Sequence, residues 1–291
     1  MTWIPQPTQD GSYTFFSAEF GETFHSLHGA KAEAFQKFAD ATDLPRKALQ
    51  PSLKLLDVCY GLGYNTAAAL ETIWRINPRC EVELHGLELD PTVPLGALAP
   101  ELLQDWSVPV QAFLKELGQT HRSCRAGLNA HLWIGDARQK IQDLVQQGFQ
   151  ADAIFMDPFS PRRCPQLWTV EFIGAIAQCL APDGKLSTYS RSAAVRAALQ
   201  AAGLCIGTIP IVGQAQTAHD WSQGTVAAWR SESLIALSIM EQEHLHTRAA
   251  IPYRDPTLND SVENILARHT QEQQTTTRES TSSWRRRWGV H

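Results

Sequence analysis

Between residues 53 and 230 the chain alternates short β-rich runs with helical patterns, and this alternation constrains its fold more than any other feature. Parallel strands need a long crossover, usually a helix, so this order is typical of a sheet covered by helices on both faces. The predicted strands, the last of them the weakest, are 53–60, 82–90, 129–137, 151–157, 184–190, 224–230 and 204–212. The sequence therefore predicts an α/β protein with a mostly parallel, seven-stranded sheet.

The segments on either side of this pattern suggest four regions. We expect an N-terminal cap or extension at 1–50, the α/β core at 51–232, and a C-terminal helix followed by PYRDPTL at 233–258. Residues 259–291 include the polar stretch QEQQTTTRESTSS, which has too little apolar surface to form a core. This tail, which ends in WRRRWGVH, is therefore predicted to be disordered.

Charge and composition exclude several kinds of protein. The chain has no run of 18 apolar residues, and its beginning, MTWIPQPTQDG, lacks the basic and apolar parts of a secretion signal. The net charge of −5 gives no overall basic footprint, so contact with nucleic acid would need a local patch. The six cysteines form no C-x-x-C pair, which leaves no zinc motif. We expect a cytoplasmic protein with reduced thiols and no bound metal.

A glycine pair follows the first predicted strand in DVCYGLGYN. Gly61 and Gly63 allow a tight turn and let a ligand approach the backbone, and Asn65 opens the next helix. The turn is not a P-loop, because G-x-x-x-x-G-K-[ST] is absent, and Thr66 occupies the third position of the dinucleotide fingerprint G-x-G-x-x-G. A ligand without phosphates is therefore favoured over NAD or FAD, although an ordinary tight turn would show the same glycines.

Acidic residues end the next three predicted strands. Glu88 can accept hydrogen bonds from both ribose hydroxyls, and Asp136, in GDA, can accept one from an adenine amine. Asp157 ends the following strand. Because the carboxyl ends of parallel strands line one crevice, these groups predict a nucleoside site, and S-adenosylmethionine fits a nucleoside without phosphates.

The sequence DPFSP follows the fourth predicted strand. Its prolines, Pro158 and Pro161, restrict the backbone and thereby fix where Phe159 and Ser160 point. Phe159 could stack on an extruded RNA base, or it could belong to the core. The next residues, Arg162 and Arg163, are candidates for phosphate contact, or solvated loop arginines. His25 is a candidate for the pocket mouth, although a lone histidine is more often structural.

Four stretches, DVCYGLGYN, GLELD, GDAR and above all ADAIFMDPFSPRRCPQLW, resemble the class I S-adenosylmethionine-dependent methyltransferases of the MnmC type. That family methylates the aminomethyl group of a modified uridine at the wobble position of tRNA. The resemblance covers roughly residues 10–258. It implies a Rossmann-like fold, S-adenosyl-L-methionine as the cofactor and tRNA as the substrate. It also implies a functional link to the enzymes that make the aminomethyl group. Some members are fused to a flavin-dependent oxidase, and this chain resembles the stand-alone form.

The resemblance also implies roles for individual residues. Asp157 would lie beside the transferred methyl group. The implied cofactor contacts are the methionine part at Gly61, Gly63 and Asn65, the ribose at Glu88 and the adenine at Asp136. Beside these, Asp57 and Ala137 are further candidates for the cofactor. The candidate substrate contacts are His25, Phe159, Ser160, Pro161, Arg162 and Arg163.

Two alternative functions remain open from the residues alone. The acidic net charge suits a methyltransferase of small amines, or a relative of the aminopropyltransferases. A non-catalytic nucleotide-binding module would have the same fold but would have no need for Asp157. The sequence does not define which tRNAs are substrates or whether the target uridine carries sulfur.

Overall fold

The computed structural model describes residues 3–211, 217 and 219–290. In this part of the chain an eight-stranded sheet is accompanied by two two-stranded ribbons. The strands are β1 Gln6–Pro7, β2 Tyr13–Thr14, β3 Phe16–Ser17, β4 Glu22–Thr23, β5 Ser52–Val58, β6 Glu81–Glu88, β7 Arg122–Arg125, β8 Leu128–Ile134, β9 Ala151–Met156, β10 Leu180–Thr188, β11 Cys205–Ile209 and β12 Gly224–Ala228.

Helices connect these strands and extend beyond them at both ends. The α-helices are α1 Ala30–Glu33, α2 Leu44–Lys47, α3 Tyr64–Ile76, α4 Thr92–Gly96, α5 Pro100–Leu103, α6 Val108–Thr120, α7 Ala137–Gln146, α8 Val170–Gln178, α9 Ala193–Ala201, α10 Ile239–His244, α11 Val262–Thr275 and α12 Thr281–Trp288. A π-helical segment, Ala34–Asp40, continues α1, and two 3₁₀ turns lie at Pro165–Trp168 and Arg248–Ala250.

The large sheet has the order β11-β12-β10-β9-β5-β6-β8-β7. Its five central strands, from β10 to β8, are parallel, whereas β12 and β7 run antiparallel to their neighbours. The chain moves outward from β5 through β6 in one direction and through β9 in the other. This reversal places a crevice at the carboxyl ends of β5 and β9, where open α/β sheets bind ligands.

The predicted fold class is confirmed, and each of the seven predicted strands is present. The strand predicted to reach position 212 ends at Ile209, and residue 212 itself lies outside the described residues. The eighth strand, β7, was not predicted. Its sequence, RSCR, exposes three of its four residues and pairs only at the sheet edge, so it carries no apolar alternation.

Two apolar layers cover the sheet, one on each face. On β5, Leu53 and Leu55 face one layer, whereas Leu56 and Val58 face the other, and all four are fully buried. Alternate residues of a strand point to opposite faces, so a central strand buries both sets. At roughly 2 kcal/mol for each buried leucine or valine side chain, this strand anchors the crevice at its carboxyl end.

The predicted disorder of residues 259–291 is wrong, because most of this tail forms α11 and α12. Each helix begins with a serine whose side chain accepts a backbone hydrogen bond: Ser261 from Asn264, and Ser280 from Ser283. Each helix also buries an apolar side chain. Composition missed the tail because a few anchoring residues, rather than the polar average, decide whether such helices dock.

Trp284 is the anchor of α12 and is 1% exposed. Its ring stacks on His244 with the centroids 4.2 Å apart, and its Nε1 donates to the carbonyl of Met240. This contact holds the end of the chain against α10. The helix predicted before PYRDPTL in the region 233–258 is present but short, since α10 covers only Ile239–His244.

Among the described residues, no helix has both the length and the apolar character needed to cross a membrane.

Candidate functional site

A cleft lies at the carboxyl ends of β5, β6, β8 and β9. Its walls include the turn after β5 and the carboxyl ends of β6 and β8. The N-terminal segment contributes Trp3, Phe20 and Phe24. The lining residues of the cleft include Cys59, Gly61, Glu88, Asp90, Asp136, Ala137, Asp157 and Phe159. We call this space the cofactor cleft.

The glycine turn lies at the base of the cofactor cleft. Gly61 and Gly63 both have positive φ angles, 54° and 78°, which favour glycine. A Cβ at Gly63 would lie 2.5 Å from the hydroxyl of Tyr60, so a larger residue would displace the tyrosine. Gly61 lines the cleft, whereas Gly63 lies one step behind it. The turn therefore needs glycine for its own conformation as well as for ligand access.

Glu88 points into the cofactor cleft from the end of β6 and is 8% exposed. Its Oε2 accepts from the amide of Gly61 at 2.8 Å, and its Oε1 accepts from the amide of Asp90 at 2.9 Å. Burial raises the pKa of this carboxyl, and the two amides oppose that rise. Each oxygen keeps a lone pair for a further donor, such as a ribose hydroxyl.

Asp136 caps α7, where its Oδ1 accepts from the amide of Arg138 at 2.9 Å. The guanidinium of Arg138 binds the other oxygen of Asp136 at 2.8 Å and also binds the carboxylate of Asp255 at 2.8 Å. Asp255 is fully buried and belongs to PYRDPTL, so the C-terminal segment fixes the orientation of Asp136 through one arginine. Ala137 lies beside Asp136 in the cleft wall.

Replacing Asp255 by asparagine is expected to weaken this linkage. The buried charge that balances Arg138 is lost, although Asn retains an acceptor for the amides of Asn259 and Asp260, which now bind Asp255 Oδ1. We expect a loss of about 1.5 kcal/mol of stability and a rise in the dissociation constant of the cofactor. Urea unfolding and calorimetric titration measure both quantities. An unchanged cofactor affinity in a destabilised variant would contradict the positioning of Asp136.

Asp57 lies below the cofactor cleft rather than in its wall and is fully buried. Its Oδ2 accepts from the hydroxyl of Thr66 at 2.7 Å, and its Oδ1 has no partner among the described residues. Burial raises the pKa of Asp57 to about 7. The structure thus places it as a support for the start of α3, without direct access to a ligand in the cleft.

The pKa of Asp57 predicts a pH dependence of stability. Between about pH 4 and pH 7 the unfolded chain releases this proton while the folded chain keeps it, so stability falls as pH rises, by about 1.4 kcal/mol per pH unit. Asp57→Asn should remove this component. Urea unfolding across that range, compared with Asp183→Asn at an exposed position, measures the difference. Parallel stability curves for the parent and Asp57→Asn would show the prediction to be wrong.

Asp157 lies where the cofactor cleft meets a second cavity. Its amide donates to the carbonyl of Val58, and its Oδ2 accepts from the side-chain nitrogen of Asn65 at 2.8 Å. Burial, and to a lesser degree the charge of Glu33, raises the pKa of Asp157 well above its usual value. Asn65 therefore holds Asp157, and does not itself line the cofactor cleft.

The second cavity, here called the acceptor cavity, is formed largely by the N-terminal segment and by the loops after β9 and β10. Its lining residues are Glu22, Thr23, Phe24, His25, Ser26, Glu33, Lys37, Asp157, Pro158, Phe159, Ser160 and Tyr189. Glu33 pairs with Lys37 one helical turn later and accepts from the amide of Ser26 at 3.1 Å. Tyr189 donates to the carbonyl of Pro158 at 2.8 Å.

Phe159 separates the two cavities. One face of its ring stacks on Phe20, with the centroids 4.3 Å apart, and Phe24 approaches it at 4.9 Å in an edge arrangement. Trp168 donates from Nε1 to the carbonyl of Phe159 at 2.8 Å. The packing interpretation holds in part, because Phe159 contacts aromatic neighbours. Stacking of Phe159 on an RNA base stays a prediction.

The other predicted substrate contacts divide into two groups. His25 lines the acceptor cavity and stacks on Tyr64 at 5.0 Å, and burial lowers its pKa to about 4. Ser160 also lines it, but its hydroxyl and amide both donate to Glu22. The residues that line neither cavity are Pro161, Arg162 and Arg163, of which the two arginines are exposed.

Several residues of the acceptor cavity were not predicted. Tyr189 follows the end of β10, so the strand-end argument applied to Asp157 would have found it. The pairing of Glu33 with Lys37 shows the i, i+4 spacing of a helix, but nothing local places it beside Asp157. Glu22 lies in a two-residue strand with no distinguishing pattern.

The charges of the cofactor cleft fit an adenosine-like cation better than a dinucleotide. Glu88, Asp90 and Asp136 offer acceptors for hydroxyls and an amine, and no arginine or lysine is among the described residues that line the cleft. Phosphates need positive groups or several free amides, whereas a sulfonium is favoured by nearby carboxylates. No cluster of metal-ligating side chains occurs in the described part of the chain.

Comparisons with known proteins agree with this chemistry. The family model described as S-adenosyl-L-methionine-dependent methyltransferase matches residues 100–219. The crystal structure of MnmC2 from Aquifex aeolicus superposes with a TM-score of 0.81 at 29% identity, covering 94% of this chain and 86% of the other. The chain is therefore an S-adenosyl-L-methionine-dependent methyltransferase, with that compound as its cofactor.

Sequence relatives define the group more narrowly. The bifunctional tRNA 5-methylaminomethyl-2-thiouridine biosynthesis protein MnmC of Aromatoleum aromaticum is 34% identical over 67% of this chain and 31% of its own length. An uncharacterized protein of Methanocaldococcus jannaschii is 29% identical over 89% of this chain and 69% of its own. The resemblance to MnmC-type methyltransferases is thus confirmed. The chain spans about a third of the length of such bifunctional relatives.

Proposed function

We propose that this chain methylates the 5-aminomethyl group of the wobble uridine in tRNA, converting a primary into a secondary amine. The name of the Aromatoleum aromaticum relative supports a tRNA substrate. The observation that carries the proposal is the position of Asp157 at the junction of the cofactor cleft and the acceptor cavity. A nitrogen in the acceptor cavity and a methyl group in the cofactor cleft would meet beside this carboxylate.

The acceptor cavity has the charge expected for an amine. Glu22, Glu33 and Asp157 contribute three carboxyl groups, and Lys37 is the basic side chain among the described residues that line it. His25 is neutral near pH 7 because its pKa is about 4. An ammonium entering this space would therefore find stabilising neighbours before it loses its proton.

Asp157 would first accept a hydrogen bond from the nitrogen and then take a proton from it. When bound, S-adenosyl-L-methionine would supply an electrophilic methyl group to the nitrogen lone pair, and its sulfur would leave as a neutral thioether. Asp157 accepts a hydrogen bond from the nitrogen, orients its lone pair and stabilises the positive charge that the nitrogen gains. Burial raises the pKa of Asp157, which makes its carboxylate a stronger base toward the proton of the amine.

The remaining predicted residues take supporting roles in this proposal. The turn at Gly61 and Gly63 would receive the methionine part, with Asn65 and Asp57 holding the turn and Asp157 in place. Glu88 would bind the ribose. Asp136 and Ala137 would contact the adenine.

On the substrate side, Phe159 and His25 are our candidates for contact with the uracil ring. Ser160 is held by Glu22 and would position the loop together with Pro161. Arg162 and Arg163 would reach phosphates only at a distance from the reacting nitrogen.

Methyl transfer from labelled cofactor to tRNA tests the proposal. The substrate is tRNA carrying unmethylated 5-aminomethyluridine, and mass spectrometry of the digested nucleosides identifies the product. We expect one added methyl group on that nucleoside. Transfer to small amines with none to tRNA would instead support the alternative function, methylation of small amines. A tRNA substrate would also place the reaction in the cytoplasm and make the enzymes that form the aminomethyl group the suppliers of the substrate.

A further inference from the structure

The acceptor cavity continues outward into a groove that the proposed mechanism does not use. The groove runs from the Glu33–Lys37 turn to the loop after β10 and the segment before β12. Its lining residues include Glu33, Lys37, Tyr189, Arg191, Trp221 and Ser222. Ser26, Glu33, Lys37 and Tyr189 line both spaces. We call this second space the outer groove.

Arg191 forms a cationic platform in the outer groove. Its guanidinium lies over the ring of Trp221, 5.2 Å from the centroid, and its Nη1 donates to the carbonyl of Ser222 at 3.3 Å. Arg191 is exposed, so the outer side of the guanidinium is open to a ligand. A guanidinium held over an aromatic ring can stack on a nucleic-acid base and still bind a phosphate at its edge.

The basic helix α12 adjoins this platform. Trp284 of α12 packs against Trp221, with the centroids 5.8 Å apart. The next two residues, Arg285 and Arg286, are exposed and form no ion pair with any described residue. Arg287 differs, because it pairs with Glu243 and Glu279. Two arginines without ion pairs to described residues therefore follow Trp284 on the helix that packs against Trp221, although neither lines the outer groove itself.

The acidic groups near these arginines have partners of their own. Glu33 is paired with Lys37, Glu241 is buried against Arg196 at 2.9 Å, and Asp220 accepts from the amide of Thr217 at 2.7 Å. The outer groove thus contrasts with the acceptor cavity from which it leads, since carboxylates surround the reacting nitrogen while free cations lie farther out. This order fits a ligand with an amine at one end and phosphates along the rest.

We propose that the outer groove, from Lys37 and Tyr189 to Arg191, binds the single-stranded RNA backbone next to the nucleoside being methylated. The arginines of the adjoining helix α12, Arg285 and Arg286, would extend this contact along the RNA. The inference rests on the proposed function and extends it to the direction in which the tRNA approaches. The loop arginines predicted from sequence, at positions 162 and 163, line neither this groove nor the acceptor cavity. Arg162 and Arg163 are the alternative site at which the RNA backbone could bind.

Binding of tRNA at several salt concentrations tests the outer groove. The variants are Arg191→Gln and the double variant Arg285→Gln/Arg286→Gln, with Arg79→Gln at an exposed position outside the groove as the matched control. The logarithm of the binding constant falls as the logarithm of the salt concentration rises. Each lost phosphate contact should make this negative slope shallower by about 0.7 to 0.9. We expect the KM for tRNA to rise about tenfold in the groove variants, since affinity and salt dependence share these contacts. The KM for cofactor should stay at the parent value.

The outcome separates the two proposals. One outcome is that the parent methylates tRNA while the groove variants bind tRNA with the parent affinity and salt dependence. In that case the role proposed for the outer groove is wrong and the proposed function stands. The groove is equally wrong if Arg162→Gln/Arg163→Gln produces the whole loss. If the parent neither binds nor methylates tRNA, both proposals fall.

Discussion

Replacing Asp157 by asparagine is expected to reduce turnover by about 10²- to 10⁴-fold while the cofactor still binds with nearly the parent affinity. Asparagine matches the size of the carboxyl group and retains an oxygen that can accept the hydrogen bond from Asn65. It cannot carry the negative charge that stabilises the developing ammonium, nor can it take its proton. Single-turnover methylation of tRNA and calorimetric titration with S-adenosyl-L-methionine measure the two effects separately.

A matched control for this experiment is Asp183→Asn. Asp183 is an exposed carboxylate near the amino end of β10, outside both cavities, so its loss of charge should not change turnover. An Asp157→Asn enzyme that methylates at the parent rate would refute the role proposed for this carboxylate. The pH profile adds a second criterion, because an Asp157 that accepts the proton should contribute an ionisation that the asparagine variant lacks.

The part of the site that lies on the sheet could be predicted from sequence. Glu88, Asp136 and Asp157 each follow an apolar run, and parallel strands bring such ends to one edge of the sheet. Periodicity identifies the strands, and the topology then supplies the contact between residues far apart in sequence. The strand-end part of the cofactor cleft therefore needed no knowledge of tertiary contacts beyond the strand order, whereas its N-terminal wall of Trp3, Phe20 and Phe24 did.

The acceptor cavity could not be predicted in the same way. Glu22 reaches Ser160 across 138 residues, and Glu33 lies near Asp157 only because the N-terminal segment folds over the end of the sheet. These positions depend on how irregular chain packs, which local patterns do not encode. The network from Asp136 through Arg138 to Asp255 was missed for the same reason, since its last member lies over a hundred residues from its first.

The C-terminal tail shows a different limit of sequence reasoning. A polar average predicts disorder, yet Ile265 and Trp284 are almost fully buried and fix two helices to the core. Burial of one tryptophan removes a large apolar surface from water and so helps to offset the helix-propensity cost of its polar neighbours. An average over composition does not show single buried residues such as Trp284. The proposed role of α12 depends on that residue.

Removal of the Glu88 carboxylate is expected to affect the cofactor rather than the chemical step. In Glu88→Ala the ribose hydroxyls lose both acceptors, and the amides of Gly61 and Asp90 lose their partners. Two charge-assisted hydrogen bonds contribute about 3 to 4 kcal/mol together, so the dissociation constant of S-adenosyl-L-methionine should rise roughly 10²- to 10³-fold. Turnover at saturating cofactor should change far less, because Glu88 is not proposed to contact the transferred methyl group.

Glu81→Ala is the matched control, since Glu81 lies on the same strand at its exposed amino end, away from the cofactor cleft. It should bind the cofactor like the parent. Thermal unfolding of both variants shows whether Glu88→Ala merely loosens the glycine turn, in which case saturating cofactor would restore most of the lost stability. If affinity falls equally in the two variants, or if Glu88→Ala loses turnover at parent affinity, then Glu88 does not hold the ribose.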